Sequence, residues 1–341
     1  MPKTVFLSGA TGYIAQHVLK QLLEKGYRVI GSVRSEAKGE NLKQLTKQSP
    51  NFSYVVIPNI ADPGAFDKPL QDHPEISVFL HTASPVDFDL EAKDFEAKVL
   101  KPAIDGTKSV LSAIKSYGKN IEHLVVTSSV ISVINITGTG PPTREYNEES
   151  WNPITWEESF KDSYAAYGGA KTFAEREVWN FVDAEQPSFT VTTIQPTYVC
   201  GPQAFEVKNK LALNFSAEIV NKLLRLKAGD EIPEFYGDYI DVRDTAKAHI
   251  FAFENSERAN GHRLILQDCL FSNELLVDLI NKNFPSLNLP KADLAKGEKY
   301  VEEKALRLDV SKTRKILDFD FIPLEQSIID SVQQVLDTPD A

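Results

Sequence analysis

Only two of the 341 residues are cysteines, Cys200 and Cys269. That is too few for a disulfide framework, a four-cysteine zinc site or an iron–sulfur cluster. The six histidines are scattered and form no His-Glu-x-x-His cluster, so no metal is assigned. No apolar run approaches the about 18 residues that read as a membrane helix, and no internal repeat or low-complexity segment stands out. Positive charge is short as well, since 37 Lys and Arg stand against 48 Asp and Glu for a net −11, a sign that repels nucleic-acid phosphates and anionic lipid. Met1-Pro2-Lys3 runs directly into a strand-like segment at Thr4, without the charged and apolar regions of a signal peptide. We therefore expect a folded protein of a reducing compartment, the cytoplasm, with neither a nucleic acid nor a membrane as partner.

What is present is alternation. Near-continuous apolar runs at Val5–Leu7, Val29–Val33, Tyr54–Ile57, Val78–Leu80, Leu124–Thr127 and Thr190–Ile194 are separated by helical patterns, as in parallel strands covered on both faces by crossover helices. At roughly 150 residues per domain, the length suits two units. The pattern predicts an α/β fold, a Rossmann-type doubly wound parallel sheet, with residues 1–200 binding a dinucleotide and a smaller, mainly helical region at 201–341 that binds substrate, parts of which can return to the first unit. A long helix is expected over 91–117, with Pro102 near its middle kinking or dividing it. Others are expected at 163–183, 208–227, 243–256, 271–283 and 323–337, with isolated strands near Tyr239 and Arg263.

Three motifs carry chemistry. Gly9-Ala10-Thr11-Gly12-Tyr13-Ile14-Ala15 follows the first strand and opens the first helix, the context in which backbone N–H groups and a helix N-terminus meet a pyrophosphate. The second strand ends in Arg34, with Lys38 one helical turn on and no acid at the strand end; the cations suit the 2'-phosphate of NADPH, where an acid would take the 2'-hydroxyl of NAD. Tyr167-Gly168-Gly169-Ala170-Lys171 places Tyr and Lys on one helical face, where an ammonium lowers the pKa of a phenol that is to act as general acid. Thr127-Ser128-Ser129 closes the fifth strand at the sheet's carboxyl edge, where a hydroxyl can donate to a ligand.

These motifs resemble the extended short-chain dehydrogenase/reductases. Longer strings (Ser8–His17, Leu80–Pro85, Asn147–Pro153, Tyr198–Gln203 and Tyr239–Asp244) are similar to the branch of NADPH-dependent carbonyl reductases related to dihydroflavonol reductase. The resemblance implies reduction of small aldehydes, methylglyoxal-like α-ketoaldehydes and ketones by a monomer or homodimer. It implies Tyr167 as proton donor, Ser129 as the group polarising the carbonyl, and Lys171 holding the nicotinamide ribose. It implies NADPH contacts from Ser8, Gly9, Ala10, Thr11, Gly12, Tyr13 and Ile14, from Arg34 and Lys38, from Asn59, Ile60 and Ala83, and from Val199 and Ser216, with Ser84, Val86 and Val130 at the substrate pocket. Asn59 stands where relatives carry Asp, and Val130-Ile131-Ser132 where they commonly carry Tyr-Ala-Ala, so substrate preference transfers least. A nucleotide-sugar epimerase or dehydratase and a non-catalytic NADP sensor are the competing readings; Thr127-Ser128-Ser129 in place of Thr-Asp-Glu, Arg34, and the retained Tyr and Lys disfavour them.

Overall fold

The structure is a computed structural model and describes residues 3–85, 88–137, 145–206, 213 and 215–338, of 215 and 216 the backbone only. In chain order it runs β1 (Thr4–Ser8), α1 (Tyr13–Glu24), β2 (Arg28–Val33), α2 (Glu36–Leu45), β3 (Phe52–Val56), α3 (Asp67–Asp72), β4 (Ile76–His81), α4 (Ala92–Phe95), α5 (Lys101–Tyr117), β5 (His123–Thr127), β6 (Glu145–Tyr146), α6 (Ser163–Glu185), β7 (Thr190–Pro196), β8 (Tyr198–Cys200), α7 (Phe215–Leu223), β9 (Tyr236–Asp241), α8 (Val242–Glu254), β10 (Arg263–Leu266) and β11 (Cys269–Ser272). A short helix at Ser256–Ala259, helices at Asn273–Asn283, Leu294–Lys304, Ser311–Leu317 and Leu324–Asp337, and a two-residue strand at Arg307–Leu308 paired with β6 follow among the described residues.

Seven strands form one parallel sheet in the order β10-β7-β5-β4-β1-β2-β3, the expected Rossmann-type arrangement. Its two faces follow from the period of two along each strand. Val5, Leu7, Val78, Leu80 and Val125 pack with Val18, Leu19 and Leu22 of α1 and Ile250 and Phe253 of α8. Phe6, Phe79, Leu124 and Val126 point the other way, onto Val110, Leu111 and Ile114 of α5 and Val178 of α6. A second core joins β8, β9 and β11 to the late helices through Cys200, Tyr239, Phe271, Leu276, Ile280 and Ile328.

Several local expectations change. The helix over 91–117 is divided as expected, but by a π-turn at Glu96–Leu100 between α4 and α5 and not at the proline itself. That turn leaves Pro102 in the first turn of α5 rather than mid-helix, where a missing N–H costs least. The strand near Arg263 is not isolated; it is the edge strand of the central sheet. The strand near Tyr239 lies between β8 and β11 in a three-stranded sheet. Within the expected helix at 208–227 the structure describes α7; residues 207–212 and 214 lie outside the described residues. The helices at Leu294–Lys304 and Ser311–Leu317 went unread, their apolar positions being few.

One buried histidine ties α8 to the sheet. His249 Nδ1 lies 2.7 Å from the Thr245 carbonyl, which can only accept, so Nδ1 carries the proton and Nε2 accepts from the Thr127 hydroxyl at 2.6 Å. Burial lowers its pKa from 6.5 to about 4. The unfolded chain therefore takes up a proton that the folded ring refuses, and stability present above pH 6.5 is lost as pH falls toward 4. His249→Gln is expected to flatten the fall of stability over this range by up to about 1.4 kcal/mol per pH unit, read from thermal melts of both proteins at stepped pH.

Candidate active site

The dinucleotide cleft opens at the carboxyl ends of β1, β2 and β4. Gly9 adopts φ +67°, and a Cβ there would lie 2.9 Å from the Ala83 Cβ; only glycine allows the turn to pack on the chain leaving β4. Gly12 then starts α1 without a side-chain cap and without an acidic residue in the first turn. The orphan N–H groups and the positive end of the helix dipole are left for an anion. The lining of the resulting cleft of about 480 Å³ includes nine residues singled out in the sequence, Gly9, Thr11, Gly12, Arg34, Lys38, Asn59, Ile60, Ala83 and Ser84, together with others such as Ser32, Ile57, Pro58 and Thr82. Arg34 and Lys38 are exposed at its rim. Glu36 and Glu40 do not line it; their carboxylates meet at the Tyr54 hydroxyl, 2.6 and 2.7 Å away. A cleft with a bare helix N-terminus at one end and two cations at the other fits a dinucleotide carrying an extra phosphate.

Other candidates shape this cleft from behind. The Ser8 hydroxyl is buried and accepts from the Thr82 and Ala83 N–H groups at 3.0 and 3.1 Å, so its own proton faces His81 Nδ1 at 2.9 Å. His81 is thus a neutral acceptor there, and burial lowers its pKa to about 3, the nearby Lys171 adding to the effect. Ala10 is buried against Gly31 of β2, Ile14 packs on the core, and the Tyr13 hydroxyl donates to the Gly201 carbonyl at 2.5 Å. The Asn59 amide donates to Asp62 at 2.5 Å while its carbonyl accepts from the Ala61 N–H at 3.1 Å. Val199 is buried, and Val130 packs against the cluster of Val133, Tyr146 and Ile265. Val86 and the Ser216 side chain lie outside the described residues.

Ser129, Tyr167 and Lys171 come together at the end of β5. Ser129 caps a 3-10 turn over Val130–Ser132, its Oγ accepting from the Ile131 N–H at 3.3 Å. Asp162 caps α6 through the Ala165 N–H at 2.8 Å, and this helix brings Lys171 Nζ to 5.9 Å from the centroid of the Tyr167 ring. Gly169 allows the close crossing of α6, since a Cβ there would strike the buried Ser159. The electrostatics differ from the simple expectation. Burial raises the Tyr167 phenol above its ordinary value, opposed by a hydrogen bond with Ser129. Burial likewise lowers Lys171 to about 8, opposed by the Glu175 carboxylate. On the phenol, desolvation outweighs the hydrogen bond with Ser129. The arrangement holds a protonated phenol beside a serine hydroxyl, with Lys171 near His81 at the end of β4, a setting for proton transfer to a carbonyl oxygen.

Sequence reading missed the Phe88 ring, 5.3 Å from that of Tyr167, and the buried Glu175–Arg263 pair, 2.6 Å between Nε and Oε1. Glu175 had one available signal, its place one helical turn past Lys171 on the same face. Arg263 had none.

Residues 5–265 match the model of the NAD dependent epimerase/dehydratase family. An NADPH-dependent methylglyoxal reductase of Saccharomyces cerevisiae is 42% identical over 339 residues, covering 98% of both chains. The crystal structure of Gre2 from Candida albicans in complex with NADPH matches with a TM-score of 0.94 at 43% identity, covering 99% of this chain and 100% of that one. The crystal structure of the yeast methylglyoxal/isovaleraldehyde reductase Gre2 complexed with NADPH gives a TM-score of 0.91 at 41% identity, covering 98% of both chains. With most of its length inside that family model and relatives aligned almost from end to end, this chain belongs to the NAD dependent epimerase/dehydratase family.

Proposed function

We propose that the protein is an NADPH-dependent carbonyl reductase that converts small aldehydes, α-ketoaldehydes and ketones to alcohols. The observation that carries this reading is the grouping of Ser129, Tyr167 and Lys171 near His81, where β4 runs into a cleft whose lining includes Arg34 and Lys38 and no carboxylate. NADPH supplies the hydride that reaches the carbonyl carbon. Tyr167 Oη gives its proton to the carbonyl oxygen, and Ser129 Oγ donates a hydrogen bond to the same atom. Lys171 holds the nicotinamide ribose and, as an ammonium, stabilises the phenolate left on Tyr167. Arg34 and Lys38 clasp the 2'-phosphate, and the bare N-terminus of α1 takes the pyrophosphate. The substrate enters between Ser84 and Val130, with the region after 200 forming the far wall while β10 completes the central sheet and α8 packs on it. Two thiols with no disulfide between them suit a reducing compartment, the cytoplasm, and we assign the enzyme as a monomer or homodimer.

Three outcomes are expected. Tyr167→Phe lowers kcat about 10²- to 10⁴-fold while NADPH binding, followed by nicotinamide fluorescence, persists; near-normal turnover would remove Tyr167 as the acid. Arg34→Ala raises KM for NADPH about 10- to 100-fold, the loss of a charge-assisted contact, and leaves KM for NADH nearly unchanged; equal effects would refute the phosphate role. Because burial holds Lys171 near 8, the reduction rate in the wild type falls as pH rises through about 8, where the ammonium is lost. A rate flat to pH 10 in absorbance assays at 340 nm would contradict that assignment.

A further inference from the structure

Behind the three reactive side chains lies a polar cluster that the mechanism does not use. The Glu175 carboxylate is fully buried on α6 and paired with Arg263 of β10. Around it converge side-chain donors from four places. Ser128 and Ser132 come from the turn after β5, Thr193 and Gln195 from β7 at 3.3 and 2.8 Å, Trp179 from α6 at 3.2 Å, and Arg263 Nε at 2.6 Å. The two serines bracket Ser129. Ser132 Oγ is also 2.7 Å from the Ser129 carbonyl, and Arg263 Nη2 reaches Ser132 Oγ at 3.2 Å. The other end of Arg263 is held by the Glu148 carbonyl at 3.1 Å and by that of Ser150, and it stacks on the Trp151 ring at 3.8 Å. The same segment returns to the turn, since the Asn152 amide donates to the Ile131 carbonyl at 2.8 Å and its backbone N–H to that of Ser132 at 2.9 Å.

We infer that Glu175, held by Arg263, is the positioning residue of this site: it clamps the turn carrying Ser129 to the helix carrying Tyr167 and Lys171. The inference rests on the reductase reading for the identity of the reacting groups. Ser129 lies on a short turn whose backbone hydrogen bonds are local, run to β7 through the Ser128 N–H or come from Asn152, and none of them reaches the long helix that carries Tyr167 and Lys171. A hydroxyl and a phenol that must both reach one carbonyl oxygen need a fixed separation, because small misplacements cost large factors in rate. Glu175 supplies the link, as it lies on the helix and binds the residues on both sides of Ser129. Its charge has a second effect. Among the described residues, the groups facing Lys171 are Tyr167 and Glu175 from its own helix and the neutral His81 from β4, with Arg263 standing behind Glu175. The Glu175 carboxylate is thus the neighbour that keeps Lys171 an ammonium against burial.

The test compares wild type with Glu175→Gln combined with Arg263→Met, which removes both buried charges and leaves no unpaired cation. A second variant, Glu175→Asp, keeps the charge and draws it back by one methylene. In the double variant kcat is expected to fall about 10- to 100-fold with KM for the carbonyl changed less than about threefold. The alkaline limb of its pH profile moves down by about one unit. The Lys171 titration, followed by NMR of lysine labelled in the side chain, moves with it. In Glu175→Asp the titration stays near that of wild type and kcat still falls, because the clamp is loosened while the charge remains. Wild-type kcat in either folded variant overturns the inference, as does an unmoved Lys171 titration in the double variant; should the double variant not fold, the Glu175→Asp kcat decides alone. If wild type itself reduces no carbonyl, the reductase reading fails, and the NMR titration still decides whether Glu175 acts on Lys171.

Discussion

Parallel pairing of β1, β4 and β5 is the constraint on which the rest of the structure depends. Parallel strands all end at one edge and need both faces covered, so the turns after these strands must gather on one rim of the sheet. There the chain ends meet through side chains rather than backbone ladders. The Ser8 hydroxyl ties β1 to the segment leaving β4, and the Thr82 hydroxyl returns the bond to the Ser8 carbonyl at 2.5 Å. Gly9 can sit against Ala83 only because this junction draws the two turns into contact. The dinucleotide cleft is the space left above that junction, and its anion-binding character comes from the helix that must begin there.

Burial then sets the chemistry. Removing Tyr167 and Lys171 from water favours the uncharged form of each, which raises the phenol and lowers the ammonium. Their ordinary order, with the ammonium slightly above the phenol, is therefore reversed, and Lys171 gives up its proton at a lower pH than Tyr167. A buried carboxylate would ordinarily be a liability, because removing one partner of such a pair typically costs about 3–5 kcal/mol. Glu175 is tolerated because Arg263 neutralises it and because serine, threonine, glutamine and tryptophan donors meet both its oxygens. The cluster is costly to break and hence rigid, which is what a site needing fixed distances requires.

The same logic accounts for the acidic segment Asn147–Pro153. Its sequence looks like a solvated loop, yet Glu148 accepts from the Thr313 backbone and hydroxyl at 2.9 and 2.6 Å while its carbonyl and that of Ser150 receive Arg263. Trp151 forms the floor under the guanidinium. A loop that contributes none of the reacting groups thereby supports the turn that carries one of them.

The amino-acid sequence by itself determined the strands of the sheet, the glycine turn, the cations after β2, and the Tyr167–Lys171 pair, because each of these is a local pattern whose geometry follows from the period of a strand or helix. Spacing of four on a helix means the same thing in any fold. It did not determine that Ser8 would turn inward, that Pro102 would follow a π-turn, that Arg263 would complete the central sheet, or that His249 would reach Thr127. Apart from the local π-turn, those facts join residues as far as 122 positions apart, and only the packing of the sheet against its helices brings them within hydrogen-bonding distance. Glu175 marks the boundary: its sequence position put it on the buried face with Lys171, and the tertiary structure alone supplied the Arg263 that lets a carboxylate remain there.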